Sequence, residues 1–449
     1  MIDLTDGLTD AVADPVTFPG DPAWDTARRA WNLAVDQQPT AVFEATSAED
    51  VKAAVDLARR SGLRVAAQST GHGAAPLESL DGVVLLKTSR MRAVSVSPDT
   101  RTARIEAGAL AGDVAAAAGE HGLAPVAGFA PSVGMTGLTL GGGIGWLGRT
   151  YGLAANNVRA IELVTADGEH RLVDADTDAD LFWALRGGGG NFGVVTALEI
   201  ELHPVPEAVA ARLVWPAQYA AEVIEQYREW TRDLPDAMSS MLRFLDLPDQ
   251  PIVSIAALHL GSLADAERLL RPLRSSATTM VDVLATVAPA GIARVAGDPE
   301  EPVPALGQGV VVRDLDLDLA DLIADRIVRD VHKPLAALEM RHLGGALART
   351  APGHGALGKL DGAFTVFAGG PGIGPAAGAA EAALRELHES LRPWATQASL
   401  NFSNLRTDPA TAFGAEAYEE LCRVRAAVDP HGLFVANHPI PAAAPILDP

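Results

Sequence analysis

The sequence predicts an α+β protein of more than one domain, and two observations lead there. Short strands, tight turns and glycine clusters crowd residues 1–207, whereas longer strand and helix patterns fill residues 208–410. With 449 residues, 48% hydrophobic and 20% charged, the chain can bury a large core and is not broadly disordered.

The elements follow in order. Residues 47–61 read as a helix, capped by Ser47 with Asp50 three residues on, striped by Val51, Val55 and Ala58, and ended by Gly62. "LRVAAQS" and "GVVLLK" read as buried strands. "AVSVSPDTRTARIEAG" and "AIELVTADGEHRLVD" alternate around Pro98-Asp99 and Asp167-Gly168, which predicts two hairpins, with an alanine-rich helix between them over 111–120. "GNFGVVTALEIELHPV" closes the first region. Beyond it, "RLVWP", "SSMLRFL", "PIVSIAALHL", "AALEMRHLGG" and "GAFTVFAGG" read as strands of a second, antiparallel sheet. Helices over 217–232, 263–272, 319–331 and 375–391 would cover it. An amphipathic helix in the C-terminal segment, residues 411–449, is stopped by Asp429-Pro430.

Charge and cysteine usage exclude several classes. The formal charge of −22 argues against nucleic acid and anionic membranes as partners. The single cysteine, Cys422, rules out an intramolecular disulfide or a cysteine-based zinc cluster, and no metal is expected. The N-terminal "MIDLTDGLTD" is acidic where a secretory signal would be basic and then apolar, so a cytoplasmic location is the expectation. A monomer or homodimer is expected.

Three glycine clusters need a chemical reason. "QSTGHG", Gln68 to Gly73, follows a strand and offers backbone N–H groups to an anion. Ser132 to Gly148 holds seven glycines in seventeen residues, a composition that argues against any stable helix there, since each interior glycine costs about 1 kcal/mol relative to alanine. Its interleaved Val133, Met135, Leu138, Leu140, Ile144 and Trp146 argue against a linker and for backbone lying on a flat ligand. "LRGGGGNFGVV" repeats the theme. No Gly-Lys-Ser/Thr follows any cluster, and "GGGIGW" does not fit the doubly wound dinucleotide fingerprint. A ligand with several phosphates and a planar ring fits best.

These segments resemble the berberine-bridge-enzyme-like branch of the vanillyl-alcohol-oxidase superfamily, with its PCMH-type FAD-binding domain of two α/β subdomains and its helix-covered substrate sheet. The bacterial 6-hydroxynicotine-oxidase type with a singly attached flavin is the nearest pattern. "STGHG", "GFAPSVGMTGLTLGGGIGWLGRTYGLAANNV", "ALRGGGGNFGVVTALEIELHPV", "EMRHLGGA", "NFSN" and "VRAAVDPHGLFVANHPI" carry the resemblance over about residues 25–441. It implies FAD as cofactor, bonded through His72 to the flavin 8α-methyl. It implies that Gln68, Ser69, Thr70, Gly71 and Gly73 cradle the pyrophosphate. Ala130, Ser132, Val133, Gly134, Thr136 and Gly137 would lie along the flavin, as would Gly141, Gly142, Gly143, Ile144 and Gly145. Gly193 and Val195, then Asn437 and His438, would complete the cofactor site.

Departures from the family pattern sharpen the reading. Ala130 stands where doubly attached relatives carry a cysteine, so no thioether forms there. Val133 occupies the position that gates oxygen, where a small side chain favours an oxidase. Ile144 and Ser399 replace two family tyrosines, the second a frequent catalytic base.

The implied function is an FAD-dependent oxidation, hydride passing from a small alcohol or amine metabolite to flavin N5 with O2 as the electron acceptor. The alternative is a non-redox cyclase or binding protein on the same scaffold. If residues 338–344 form a strand, Glu339 and Arg341 share one face and His342 lies on the other. His342 is a candidate base or a hydrogen-bonded strand histidine. Glu339 and Arg341 are candidates for base and anion binder, or for a cross-strand ion pair. Asn401 is a candidate orienting amide, and His438 a group polarising the flavin edge.

Overall fold

The computed structural model describes residues 16–77, 79–275, 277–329 and 334–442. The acidic N-terminal stretch, the end of the helix expected to 331 and the last residues of the C-terminal segment lie outside these.

Three sheets organise the described residues. The first contains β1 (Val16–Thr17), β2 (Ala41–Glu44), β3 (Arg64–Gln68) and β4 (Val83–Lys87), in the order β1-β2-β4-β3. β4 runs parallel to both β2 and β3. All five residues of β4 are buried, as a strand covered on both faces should be. Between β2 and β3 runs the Ala48–Arg60 helix, where Ser47 Oγ accepts from the Asp50 N–H at 3.1 Å. Its Val51, Val55 and Ala58 stripe is fully buried against β3 and β4.

The second sheet contains β5 (Val94–Ser97), β6 (Thr102–Glu106), β7 (Leu123–Pro125), β8 (Val158–Val164), β9 (His170–Asp174) and the eleven-residue β10 (Val194–Pro204). β5 with β6 and β8 with β9 form the two expected hairpins, and β10 bridges them between β6 and β8. One expectation is overturned here. Within the glycine-rich segment, Met135–Leu140 forms a short helix. Its glycines fall mainly at the ends, Gly134 before it and Gly141 after it, leaving only Gly137 inside. Met135, Leu138 and Leu140 are buried in the core, and that packing outweighs the roughly 1 kcal/mol propensity penalty of one interior glycine.

The third sheet is antiparallel and eight-stranded, built from β11 (Val209–Pro216), β12 (Met238–Leu245), β13 (Ile252–His259), β14 (Val281–Thr286), β15 (Ala305–Val312), β16 (Ala337–His342), β17 (Phe364–Pro371) and β18 (Ala395–Ala398), ordered β14-β11-β13-β12-β16-β17-β15-β18. Helices Ala220–Thr231, Leu317–Arg329 and Ala377–Leu391 pack on one face, burying Leu242, Leu338, Met340 and Val366. Because side chains alternate along a strand, the neighbours Met241, Arg243, Glu339, Arg341 and Phe367 face the other way. Met241 there packs with Trp146 and Leu147 of the glycine-rich segment. The sheet thereby brings its charged strand residues toward the glycine loops.

The chain then returns to the first sheet. After the Ala415–Val428 helix, Val65 donates to Leu433 O at 2.8 Å and Val435 donates to Val65 O at 2.8 Å. Fully buried Asp429 fixes this turn by accepting from the Leu433 and Phe434 N–H groups at 2.8 and 2.9 Å and pairing with Arg425 at 2.9 Å. Among the described residues, no helix is long and apolar enough to cross a membrane.

Candidate active site

The first glycine loop leaves β3 at Gln68 and turns at Gly71, whose φ of +86° favours glycine. His72 sits at its tip. Its Nδ1 hydrogen-bonds Thr70 Oγ1 at 2.8 Å, and Trp31 stacks on the ring at 3.8 Å between centroids. Burial pushes the His72 pKa down to about 4, so the ring is neutral at pH 7. Asn437, from the returning C-terminus, donates Nδ2–H to Gly73 O at 2.8 Å.

The second glycine segment lies against the first, with Gly134 packed on the Ser69 side chain. Asn401 reaches over from the substrate side, its Oδ1 so close to Gly141 that any Cβ there would overlap it, while its Nδ2–H is donated to Leu138 O at 2.9 Å. Asn401 therefore holds the backbone of the second glycine segment. Ile144 is buried with Leu153, Leu343 and Leu360. A small cavity of about 20 Å³ opens beside Gly141, Ile144, Leu357, Ser399 and Asn401.

Along these two loops runs a set of buried polar atoms with no hydrogen-bond partner among the described residues: both side-chain ends of Gln68, Ser69 Oγ, His72 Nε2, Ser132 Oγ, Thr136 Oγ1 and Thr139 Oγ1. Buried polar groups are ordinarily paired, so such a run needs a polar ligand. A diphosphate-linked flavin, rich in acceptors and donors along its length, fits it. The third cluster contributes differently. Gly187 and Gly189 both donate to Leu140 O at 3.0 Å, tying that loop to the end of the flavin segment. Gly193 and Val195 pack in the second sheet against Leu163, which by itself gives them a packing reason. His438 donates Nε2–H to Leu400 O at 3.1 Å and burial lowers its pKa, so Nδ1 is left as an acceptor and the ring as placed offers no donor to a flavin edge.

The substrate-sheet candidates separate onto two faces. Glu339 lies opposite Arg243 on β12, and its Oε1 meets Arg243 Nη2 at 2.8 Å while Oε2 pairs with Arg341. Arg243 also binds Asp298 at 2.5 Å. With both oxygens held by guanidinium groups, Glu339 is an ion-pair residue and not an available base. His342 requires the same correction. Its Nε2 meets Arg149 Nη1 at 3.1 Å, and as guanidinium only donates, Nε2 is the acceptor. Desolvation, then the Arg149 charge, lower its pKa to about 3. Its lone pair is spent on the fold.

Arg149, Arg243 and Asp298 went unremarked in the sequence. One signal for Arg149 was present: it is the only charged residue between Ser132 and Val158. Arg243 and Asp298 gave none, because only the register of β12 against β16 brings them to Glu339.

Comparison with known proteins agrees with this geometry. A profile described as an FAD binding domain matches residues 39–174. The structure superposes on 6-hydroxy-D-nicotine oxidase from Arthrobacter nicotinovorans with a TM-score of 0.87 and 27% identity, covering 96% of this chain and 98% of that one. Residues 39–174 thus carry an FAD-binding domain, and the chain as a whole is similar to 6-hydroxy-D-nicotine oxidase. In sequence it is 33% identical to (R)-6-hydroxynicotine oxidase of Paenarthrobacter nicotinovorans over 61% of each chain. It is 31% identical to glucooligosaccharide oxidase of Sarocladium strictum over 57% of this chain and 51% of that one. These alignments thus span roughly half to three-fifths of the curated relatives. A Physcomitrella patens BBE-like protein, at 20% identity and a TM-score of 0.88, shares the fold.

Proposed function

We propose that this BBE-like chain is an FAD-dependent oxidase of a small metabolite, with O2 as acceptor and the flavin attached through His72 alone. The carrying observation is the set of unpartnered polar side chains on the two glycine loops, Gln68, Ser69, Ser132, Thr136 and Thr139, together with His72 Nε2. On this reading residues 1–207 hold the cofactor, residues 208–410 face the substrate and residues 411–449 return to the cofactor side. When bound, FAD supplies the two-electron chemistry, so that the substrate loses a hydride and a proton and O2 leaves as hydrogen peroxide.

The chain's own residues orient and enclose. With Nδ1–H donated to Thr70 Oγ1, His72 would hold the flavin through its free Nε2 lone pair. Ala130 offers no sulfur for a second bond. Asn401 and Gly141 fix the backbone on which the flavin ring would rest, and Ile144 with Leu153 and Leu360 excludes water beside it. The engagement of Glu339 and His342 favours an amine over an alcohol, because hydride leaves a neutral amine without a strong base.

Acid precipitation of purified protein tests this. The expected pellet is yellow, with one FAD added to the intact mass, and bleaching by an amine without air should be followed by peroxide on aeration. Yellow colour released to the supernatant defeats the His72 bond. A protein that takes up no FAD defeats the whole reading.

A further inference from the structure

Arg341 is the most buried charge on the substrate-facing side of the third sheet, at 5% exposure. Its Nη2 pairs with Glu339, but Nε and Nη1 are buried without a partner among the described residues. Three of its five N–H donors therefore have no acceptor. Phe402, Phe367 and Phe129 surround the guanidinium, with ring centroids 4.1, 5.1 and 5.2 Å from its central carbon. Such walls exclude water while their π faces tolerate the cation. Its counterion is shared: Glu339 also serves Arg243, which has Asp298 besides. Arg341 thus stands at the less neutralised end of the cluster.

Its position relates this group to the cofactor side. Phe129 immediately precedes Ala130, and Phe402 follows Asn401, whose side chain touches Gly141. Leu343, two residues beyond Arg341, packs with Ile144.

We propose that Arg341 forms an oxyanion subsite that binds a planar, conjugated substrate through a carboxylate or phenolate oxygen. This rests on the oxidase reading above and adds the chemical class of the substrate. Binding places the anionic oxygen on the unused N–H donors, and the conjugated ring among Phe129, Phe367 and Phe402. A charge-assisted hydrogen bond to guanidinium selects an anion over a neutral isostere of the same shape.

Calorimetric titration of the yellow holoenzyme provides the test, with benzoate against benzamide and para-nitrophenolate against para-nitrotoluene. At least one anion should bind about tenfold more tightly than its neutral isostere, and the pair that does so identifies carboxylate or phenolate. Arg341→Gln should abolish that preference, whereas Arg341→Lys should keep part of it. Equal binding of anion and isostere in both pairs overturns the proposal without any variant, as does a preference that survives in Arg341→Gln. Retained yellow colour with no anion preference defeats the subsite alone, while colourless protein that refuses FAD defeats the oxidase reading.

Discussion

Arg149 Nη1 lies 3.1 Å from His342 Nε2, and this contact ties the end of the glycine-rich segment to the end of β16. The same guanidinium donates to Leu343 O, to Met238 O at 2.8 Å and to Leu234 O at 3.2 Å. One buried cation thus satisfies carbonyls from two separate stretches, residues 234–238 and Leu343.

Removing it should be costly. Arg149→Met is expected to lose about 3 kcal/mol or more, since several buried carbonyls lose their donor at once. Urea unfolding followed by tryptophan fluorescence measures it. A loss under about 1 kcal/mol would mean that water or neighbouring donors replace the guanidinium.

The same contact has a pH consequence. His342 has a folded pKa of about 3 against 6.5 when unexposed to burial, so the unfolded chain binds the proton first as pH falls. Its contribution is complete above 6.5 and lost on acidification toward about 3, at up to roughly 1.4 kcal/mol per pH unit. His342→Gln should flatten the acid limb of a stability-against-pH curve, and an unchanged limb would show that His342 is not buried neutral. On the proposed oxidase reading, His342→Gln should leave the pH profile of turnover unchanged, because Nε2 is already committed to Arg149.

How far the sequence spoke depended on the range of the signal. Hairpins around Pro98-Asp99 and Asp167-Gly168, and the helix capped by Ser47, are encoded by neighbours in the chain, and the structure has them where local pattern put them. The Met135–Leu140 helix was hidden, because burial of Met135 and Leu138 is a tertiary effect that composition cannot report. At the site, alternation along β16 correctly placed Glu339 and Arg341 on one face. It could not say that Glu339 would meet Arg243, or that His342 would meet a residue 193 positions away.

Thr70 offers a test of how His72 is prepared. Its hydroxyl is the only hydrogen-bond partner found for the imidazole among the described residues, at 2.8 Å from Nδ1. Thr70→Val keeps the shape and removes that partner. If Nδ1–H must be held for Nε2 to bond the flavin, the variant should leave a larger share of FAD in the supernatant after acid precipitation. Thr70→Ser should restore attachment. Complete attachment in Thr70→Val would assign orientation of the ring to the Trp31 stack instead.

The contact between Asn401 and Gly141 predicts a compensating pair. A Cβ on Gly141 would overlap Asn401 Oδ1, so Gly141→Ala must displace either the amide or the loop backbone. Overpacking of this kind costs about 1–3 kcal/mol. Asn401→Ala alone gives up the bond to Leu138 O, worth about 1 kcal/mol, but opens the space that the new methyl needs. The double variant should therefore be more stable than the sum of the two single losses implies, by at least about 1 kcal/mol in a double-mutant cycle. Additive losses would show that the loop moves away from Asn401 at little cost, and the amide would then have no part in holding the flavin segment in place.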